Sequence, residues 1–447
     1  MVLPQIKGNH AVGTSYWKSS LPRRVFGSAT LKGTQKPAFV LEEVAFQIFY
    51  PCEDKQAVKA APFGIGWIDS PLAKWADGYS SFLGYSRWLL YPLILLTSIM
   101  VKVPAFSGPP LKPPPSEGKR WPLVFFSHGL AGTRTTYSQL CSKLAAEGHI
   151  VIAMEHRDGT SPACTYPVDG ESSSHYYLKP EALDWQEGVK SQQNPMPLRT
   201  QQLEMRHVEI LEAFKAFKSV IGGDKTTISN HNDYRYWDSW KNQVDVESMT
   251  FVGHSFGGCT GIHLLSHATP EGFEALPISK AIIHDPWFEP LSADFEENAI
   301  QNGNFLSIPV LVINSGTFTL WRDHFAREEA LFGAWVQRAK GSIFTTLVGS
   351  KHMAFSDFPV LLPWSKQAIL FHHDMHDLSN AFIEDKVGEF LLSKGDRIRK
   401  ELIVDNPEDD KRKRIRADVG DFVVHFSSVD LVDFGSSSTS DNGAAPI

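Results

Sequence analysis

Residues 249–258 read MTFVGHSFGG, and this stretch decides how the whole chain is interpreted. An apolar run typical of a β-strand leads into a turn of the form Gly-x-Ser-x-Gly, and a helix-compatible run follows. A serine on so sharp a turn can project its hydroxyl out of a sheet only if its neighbours are small, and Gly253 and Gly257 have no Cβ. The following helix would direct its unpaired N–H groups at the same point. We predict that Ser255 is a nucleophile; the competing interpretation is that it merely caps the helix.

Composition describes an ordinary globular protein. The chain has 447 residues, of which 42% are hydrophobic and 21% are charged, so it contains enough apolar material for one large core. Its formal net charge of −7 provides no global basic field, and we therefore expect no nucleic-acid partner. Four cysteines are scattered without paired spacing, which argues against a zinc knuckle or a disulfide framework.

Location is inferred from two weaker observations. Residues 1–16 contain no apolar segment of the kind found in secretory signals. The unpaired cysteine pattern favours a reducing compartment. We expect a cytoplasmic protein, with the possibility of peripheral membrane contact.

That possibility comes from the most apolar part of the chain, residues 82–103. The run is shorter than the roughly 20 uninterrupted apolar residues that span a bilayer, and it contains Pro92. We predict an apolar helix here. It is interpreted either as a core or lid helix or as a surface that rests on lipid, because Trp88 and Tyr91 lie near its start.

Strands and helices alternate along most of the chain. Residues 121–126 and 150–154 read as buried strands with an amphipathic helix between them at 137–147, which is a βαβ unit. Further strands are predicted after the Gly-x-Ser-x-Gly turn, at 281–283, 310–313 and 343–347. This pattern predicts the α/β class: a mostly parallel, doubly wound sheet with helices on both faces.

The domain prediction follows from composition. Residues 1–394 are expected to form one catalytic domain that includes an N-terminal extension, 1–40. Beyond it, residues 395–447 combine acidic and basic clusters with a low-complexity Ser-rich end, and we predict a charged, flexible tail. The basic run Lys411–Arg414 could be a nuclear signal, although a solvated charge run is the favoured interpretation.

A nucleophilic serine needs a base and an acid, and in this architecture they follow it in the order acid, then histidine. His352 lies in a loop just past the last predicted strand, where a base can reach back over Ser255. The acid is Asp285, directly after a strand, or Asp323, beyond the next one, and the residues alone favour Asp285 without excluding Asp323. Fixed to His352, the carboxylate would set the imidazole tautomer.

The oxyanion formed on attack needs two N–H donors. The residue after the nucleophile, Phe256, would supply one, and Leu130 in the glycine-bearing loop after strand 121–126 would supply the other. No nucleotide-binding fingerprint is present, so no cofactor is expected. His372, His373 and His376 are interpreted as the end of a surface helix rather than as metal ligands, and no metal site is predicted.

Several segments together resemble the platelet-activating factor acetylhydrolase family, in its plasma and intracellular type II forms. The resemblance covers about residues 45–392 and is carried by FSHGL at 126–130, EHRDG at 155–159, GHSFGG at 253–258, DPW at 285–287 and GSKHMAFSDF at 349–358. It implies an α/β-hydrolase fold, the triad Ser255, Asp285 and His352, and Leu130 and Phe256 as oxyanion donors. It favours Asp285 over Asp323.

The predicted function is that of a serine esterase that works through an acyl-enzyme. The resemblance implies that its substrate is the short or oxidised sn-2 acyl ester of phospholipids, cleaved without calcium, and that it works at lipid surfaces. The alternatives are a general carboxylesterase or lipase with the same triad, and an inactive hydrolase-like binding module.

Overall fold

The structure is a computed structural model of the single chain. It describes residues 3–4, 6–53, 63–68, 71–224, 226–228, 238–361, 366–400 and 403–429.

Seventeen strands and eleven α-helices are present among the described residues. The strands are β1 Ala11–Leu31, β2 Pro37–Cys52, β3 Phe63–Gly66, β4 Lys102–Ser107, β5 Trp121–Ser127, β6 Ile150–Met154, β7 Ala163–Val168, β8 Glu171–Tyr176, β9 Leu183–Asp184, β10 Val244–His254, β11 Ile278–His284, β12 Val310–Ser315, β13 Ile343–Leu347, β14 Ile398–Lys400, β15 Ile403–Asp405, β16 Lys413–Ile415 and β17 Phe422–Ser427. The helices are α1 Leu72–Leu83, α2 Arg87–Met100, α3 Ser138–Ala146, α4 Pro197–Ile221, α5 Phe256–Ser266, α6 Phe295–Asn302, α7 Gly316–Thr319, α8 Arg322–Arg338, α9 Phe358–Leu361, α10 Lys366–Ile383 and α11 Val387–Lys394.

One large sheet organises the molecule, with the order β14-β17-β13-β12-β11-β10-β5-β6-β2-β1-β4-β3. The six central strands, from β6 to β13, are all parallel. Antiparallel strands, β2 and β17, join the two ends of this parallel block. The predicted mostly parallel sheet is confirmed.

Helices cover both faces of the sheet because the central strands bury both of their faces. On one face Phe126, Val252 and Leu311 pack in a cluster with residues of α3 and α10. On the other face the alternate residues Phe125 and Phe251 pack with residues of α4, and further along α5 and α8 continue the layer. The doubly wound arrangement follows from these two cores.

The strand order reverses between β5 and β10. From β5 the chain continues to β6 on one side, and from β10 it continues to β11, β12 and β13 on the other. In open α/β sheets the loops at the carboxyl ends of two such strands diverge and leave a crevice between them. In open α/β sheets ligands bind at this topological switch point.

The N-terminal extension predicted at 1–40 is largely a strand of the sheet. β1 pairs antiparallel with β2 from Ala11 opposite Cys52 to Thr30 opposite Pro37. Trp17 is 2% exposed and packs in the second core. Two irregularities in the pairing register, between Ser20 and Arg24 and between Phe26 and Thr30, let the long strand accommodate its glycines and serines.

The prediction of a flexible tail from residue 395 is wrong for the residues described up to 429. β17 pairs antiparallel with β13, and Phe422 and Val423 are fully buried. The basic run Lys411–Arg414 contributes to β16, which pairs with β15, but three of its four residues are exposed, as expected of a solvated charge run. A short apolar strand, FVVHF, is enough to join the sheet, although its charged surroundings dominate the average composition. Residues 430–447 lie outside the described residues.

The apolar run 82–103 is not one helix. Gly84 has a left-handed backbone conformation and ends α1, α2 then begins at Arg87, and residue 102 already belongs to β4. The outward face of α2 and the turn before it is apolar, with Tyr85, Trp88, Leu89, Leu93 and Leu96 all more than half exposed. Within the described residues, no helix is long and apolar enough to cross a membrane.

Candidate active site

Ser255 lies on the turn between β10 and α5, at the switch point of the sheet. Its backbone has φ 58° and ψ −119°, a conformation that is strained for a residue with a Cβ. The neighbouring glycines are required by contact: a Cβ on Gly253 would lie 2.2 Å from the carbonyl oxygen of Gly257, and a Cβ on Gly257 would lie 2.0 Å from the carbonyl oxygen of Ser127. The turn is therefore the tight strand-to-helix elbow that the sequence predicts.

Asp285 and His352 meet by a direct hydrogen bond. His352 Nδ1 lies 2.9 Å from Asp285 Oδ2. Asp285 is fully buried, and Ser315 donates to its two carboxylate oxygens through its backbone N–H and its hydroxyl, each at 2.5 Å. The structure thus pairs His352 with Asp285. Asp323 lies exposed in the first turn of α8.

His352 is held beside the elbow by two ring contacts. Its imidazole stacks on the Phe318 ring with a centroid separation of 4.3 Å, and its other neighbour is His254, at 4.4 Å, the residue before Ser255. With Nδ1 engaged by Asp285, the remaining ring nitrogen, Nε2, is the atom available to a nucleophile or a leaving group.

His254, the other imidazole beside Ser255, is a weak base because its pKa is lowered. Burial is the main cause that lowers the pKa of His254 well below its usual value, and the neighbouring imidazole of His352 contributes. The Tyr137 hydroxyl lies 2.7 Å from His254 Nδ1. The ligand atoms of His254, Asp285 and His352 lie within 4.8 Å of one another, so a buried, neutral imidazole borders the Asp285–His352 pair.

The loop after β5 packs directly against the serine. A Cβ on Gly129 would lie 2.8 Å from the Ser255 Cβ and 3.3 Å from its Oγ. Next in the chain, Leu130 has an N–H for which no protein acceptor is found among the described residues. Phe256 is the first residue of α5, where an N–H has no intrahelical partner. The predicted oxyanion donors therefore lie on the two segments that border Ser255.

Sequence reasoning missed the group that supports this loop. Arg206, on α4, is fully buried and donates to the His128 carbonyl at 2.9 Å. The same guanidinium donates to Asp158 Oδ2 at 2.6 Å and to Thr160 Oγ1 at 2.7 Å. One planar cation thus ties the loop after β5 to the loop after β6.

The buried pair His156 and Glu209 extends the network around Arg206. His156 Nε2 lies 2.8 Å from the Ser127 hydroxyl, and its Nδ1 lies 2.5 Å from Glu209. Burial raises the pKa of Glu209 to about 8, and burial together with the Arg206 charge lowers the pKa of His128 to about 3. EHRDG at 155–159 was a signal for this network, but no pattern in the chain indicated its partners on α4.

The three late histidines lie differently from the prediction. His373 is exposed on α10, but His372 and His376 are buried with their ring centroids 4.0 Å apart. The expectation of a surface helix end is therefore wrong for these two. They lie on the buried side of α10, where His372 Nδ1 is 3.0 Å from the Ala354 carbonyl oxygen.

A protein-family model that matches most of the chain shows which family it belongs to. The family model described as "Platelet-activating factor acetylhydrolase, isoform II" matches residues 1–378. The chain belongs to this family. The resemblance found in the sequence is thereby confirmed.

Individual acetylhydrolase relatives agree with the family match. A platelet-activating factor acetylhydrolase from Gallus gallus is 29% identical over 297 residues, which are 65% of this chain and 64% of that protein. One from Cavia porcellus is 30% identical over 318 residues, 70% of this chain and 63% of that protein. A putative phospholipase A2 from Schizosaccharomyces pombe is 25% identical over 358 residues, 72% of this chain and 77% of that protein. The chain spans less than two thirds of the length of the two acetylhydrolases.

Among solved structures, a ferulic acid esterase from Streptomyces cinnamoneus superposes with a TM-score of 0.54 at 15% identity. The match covers 86% of this chain and 92% of the esterase. At this identity the likeness concerns the fold alone. It agrees with the α/β-hydrolase fold that the acetylhydrolase family resemblance implied.

Proposed function

We propose that the protein is a serine esterase of the acetylhydrolase type with Ser255, Asp285 and His352 as its triad. His352 Nε2 takes the proton of the Ser255 hydroxyl while Oγ attacks the carbonyl carbon of an ester. Asp285 stabilises the imidazolium that forms. The oxyanion accepts hydrogen bonds from the Leu130 and Phe256 N–H groups, each of which typically contributes about 3 kcal/mol to lowering the barrier.

The tetrahedral intermediate then collapses. The bond from the carbonyl carbon to the alcohol oxygen breaks, and His352 returns its proton to that oxygen, so a lysophospholipid leaves and an acyl-Ser255 remains. A water molecule, deprotonated by His352, attacks the acyl carbonyl. Departure of Ser255 Oγ releases the carboxylic acid and restores the enzyme. Every step uses groups of the chain itself, and no calcium ion is invoked.

The single observation that carries this proposal is the 2.9 Å hydrogen bond between His352 and the buried Asp285, formed beside a strained serine elbow. A serine that only capped a helix would need neither the positive φ nor an oriented imidazole next to it. The substrate class, a short or oxidised sn-2 acyl ester of phospholipids, rests on the family and on the names of the relatives.

Peripheral membrane contact is part of the proposal. The exposed apolar face of α2, with Trp88 at 76% and Leu89 at 67%, would place an aromatic and aliphatic surface against lipid. All four cysteines are free thiols, which suits a cytoplasmic location. An enzyme of this kind would take its phospholipid substrate at the membrane surface.

Chain-length selectivity tests the substrate class. Hydrolysis should be measured on phosphatidylcholines whose sn-2 acyl group ranges from acetyl to long-chain, with a fluorophosphonate probe to label the nucleophile. We expect labelling at Ser255 and a preference for acetyl and other short chains. A preference for long-chain triglycerides would favour a general lipase, and absence of both labelling and turnover would favour a binding module.

A further inference from the structure

Arg199, on the first turn of α4, is a buried cation beside the serine elbow. Its side chain is enclosed by aromatic rings, and the residue is only 7% exposed. The guanidinium carbon lies 5.6 Å from the centre of the Tyr177 ring, 5.9 Å from that of Phe256 and 5.8 Å from that of Trp287. Tyr177 and Trp287 are half-buried, so the guanidinium lies directly beneath the surface that their rings form.

The charge of Arg199 has no counter-charge in the described part of the chain. Its Nη1 donates to Gln202 Oε1 at 2.7 Å and its Nη2 to the Tyr177 hydroxyl oxygen at 2.6 Å, and both acceptors are neutral. Further along α4, by contrast, the guanidinium of Arg206 pairs with Asp158 at 2.6 Å. Because a buried cation without an anion is costly, an anionic ligand would stabilise the position of Arg199.

Hydrogen-bond donors remain available at this place. A guanidinium carries more N–H groups than the two that Arg199 uses for Gln202 and Tyr177. The Tyr177 oxygen accepts from Arg199, and no acceptor for its own O–H is found among the described residues. Phosphate oxygens accept several charge-assisted hydrogen bonds, and the planar fork of arginine matches them. Arg199 and Tyr177 thus form a pair of donors that fits a phosphate group.

The aromatic neighbours of Arg199 place it next to the proposed nucleophile. Phe256 follows Ser255 in the chain and supplies a proposed oxyanion donor, and the Trp287 N–H donates to the Ser255 carbonyl at 3.2 Å. Leu130, the other proposed donor, packs in the same apolar cluster as Phe256 and Trp287. In a phospholipid the sn-2 ester and the phosphate are attached to adjacent glycerol carbons. An ester held at Ser255 therefore brings its phosphate into this neighbourhood.

Tyr177 also connects this neighbourhood to the proposed lipid contact. Its ring packs edge-on against Phe82 of α1, with the ring centres 4.8 Å apart. Helix α1 in turn packs against α2 through the Arg87–Asp77 ion pair at 3.0 Å. The donor pair therefore lies between the Ser255 elbow and the helices that carry the exposed apolar face. A phospholipid that enters from that side would present its head group to Arg199.

We propose that Arg199 and Tyr177 bind the phosphate group of the phospholipid substrate while its sn-2 ester lies at Ser255. This inference rests on the proposed function, because it assigns residues to the substrate of that same site. Arg199 supplies charge-assisted hydrogen bonds and Tyr177 supplies one from its hydroxyl. An acetyl ester without a phosphate would gain nothing from either side chain. The two residues thus determine the preference for phospholipids over neutral esters.

The first experiment compares two acetyl esters in the same neutral detergent micelles. One is a phosphatidylcholine with an sn-2 acetyl group, and the other is the diacylglycerol with the same acetyl ester and no phosphate. We expect Arg199→Met to lower kcat/KM for the phospholipid by at least about tenfold and to leave kcat/KM for the diacylglycerol unchanged. Arg338→Met, at an exposed position on α8, is the matched control and should change neither value. Equal effects of Arg199→Met on both esters would overturn the proposal.

The same assay tests the second donor and the identity of the recognised group. Tyr177→Phe keeps the ring contact with Phe82 and removes only the hydroxyl, so kcat/KM should fall about threefold to tenfold for the phospholipid alone. An unchanged preference would contradict the role of Tyr177. Phosphatidic acid with an sn-2 acetyl group contains the phosphate without choline, and its hydrolysis should depend on Arg199 in the same way. Hydrolysis independent of Arg199 would show that choline is recognised instead of phosphate.

Binding of a non-hydrolysable analogue separates this inference from the proposed function. An analogue of the acetyl phosphatidylcholine with an sn-2 ether in place of the ester is titrated calorimetrically into the unmodified chain and into Arg199→Met. We expect at least about tenfold weaker binding by Arg199→Met, in protein whose thermal unfolding matches that of the unmodified chain. If neither ester is hydrolysed but analogue binding depends on Arg199, the esterase function fails and the phosphate site stands. Equal binding by both proteins, or none by the unmodified chain, would overturn the phosphate site.

Discussion

The carboxylate of Asp285 accepts three hydrogen bonds in a fully buried position, two from Ser315 and one from His352. Ser315 therefore fixes the carboxylate, and the carboxylate fixes the tautomer of His352. A neutral amide in the same place can turn its N–H₂ group toward Nδ1 and so stabilise the wrong tautomer.

We expect Asp285→Asn to lower kcat by about 10⁴-fold while KM changes little, because the lost interaction acts on the transition state. Steady-state hydrolysis of an acetyl ester measures the effect. Asp323→Asn is the matched control, since Asp323 is the other acid that the sequence allows, and it should retain full activity. A comparable loss in Asp323→Asn, or none in Asp285→Asn, would contradict the assignment.

The proposed triad residues Ser255, Asp285 and His352 could be predicted from the sequence because each lies in a short local pattern. The elbow is contained in five consecutive residues, Asp285 directly follows β11, and His352 lies in the loop five residues after the end of β13. Arg206 could not be anticipated. Its contacts to Ser127, His128 and Asp158 join residues 48 to 79 positions apart, and nothing in the helical pattern of α4 distinguishes an arginine that faces inward.

Helix α4 acts on the candidate site through that one side chain. The guanidinium of Arg206 bridges Asp158 and the carbonyl of His128, two residues before the proposed donor Leu130. A lysine would keep the charge beside Asp158 but could not reach several acceptors at fixed angles. The loop after β5 would then be held less rigidly.

We expect Arg206→Lys to lower kcat for the acetyl ester by about tenfold to a hundredfold, since a small displacement of an oxyanion donor is costly. KM should change less than kcat, which a general loss of folded protein would not produce. Arg338→Lys on α8, whose guanidinium donates to the Ile300 carbonyl at an exposed position, is the control. Unchanged kcat in a folded Arg206→Lys variant would show that the loop does not depend on the guanidinium.

The exposed apolar face of helix α2 is the proposed contact with lipid. Leu89 is 67% exposed on its apolar face. Leu89→Glu should weaken partition into phosphatidylcholine vesicles by about tenfold or more, because burying a leucine typically contributes about 1.5–3 kcal/mol. Val25→Glu, at a position on β1 that is 45% exposed, controls for the added charge. Vesicle sedimentation measures both, and equal partition of Leu89→Glu and the unmodified chain would exclude α2 as the contact.

Helices and strands could be predicted where the hydrophobic periodicity agreed with the turn and breaker residues at their ends. The parallel strands read as continuous apolar runs because both faces are buried, whereas β1 mixes buried and exposed positions over 21 residues and interrupts them with glycine and serine. β17 was not predicted because its largely apolar run, FVVHF, lies within a charged region. Both errors concern strands added outside the parallel block, where pairing partners are distant in sequence.

Among the residues that the structure describes, nine buried histidines have a lowered pKa, chiefly because burial disfavours the imidazolium. They are His128, His156, His207, His254, His263, His284, His324, His372 and His376. The pKa falls to about 3 for His128, His284 and His324 and to about 4 for His207 and His372. As pH falls below the unfolded value of about 6.5, the unfolded chain takes up protons that the native chain does not.

Stability should therefore be greatest above about pH 6.5 and fall by several kcal/mol toward pH 5. The buried carboxyls Glu209, Glu328 and Asp357, whose pKa is raised by burial, act in the opposite sense, but they are fewer. Urea unfolding at a series of pH values measures the free energy of unfolding, and calorimetry in two buffers counts the protons taken up. Stability that stays constant or rises on acidification would contradict this prediction.

All of these features converge on the crevice between β5 and β10, where the sheet order reverses and Ser255 emerges between its loops. The most direct measurement is hydrolysis of acetyl-phosphatidylcholine by Ser255→Ala, in protein whose unfolding curve matches that of the unmodified chain. We expect a fall of at least about a thousandfold, and we expect mass spectrometry to detect an acetylated protein with the unmodified chain but not with Ser255→Ala. Turnover close to that of the unmodified chain would contradict a nucleophilic role for Ser255.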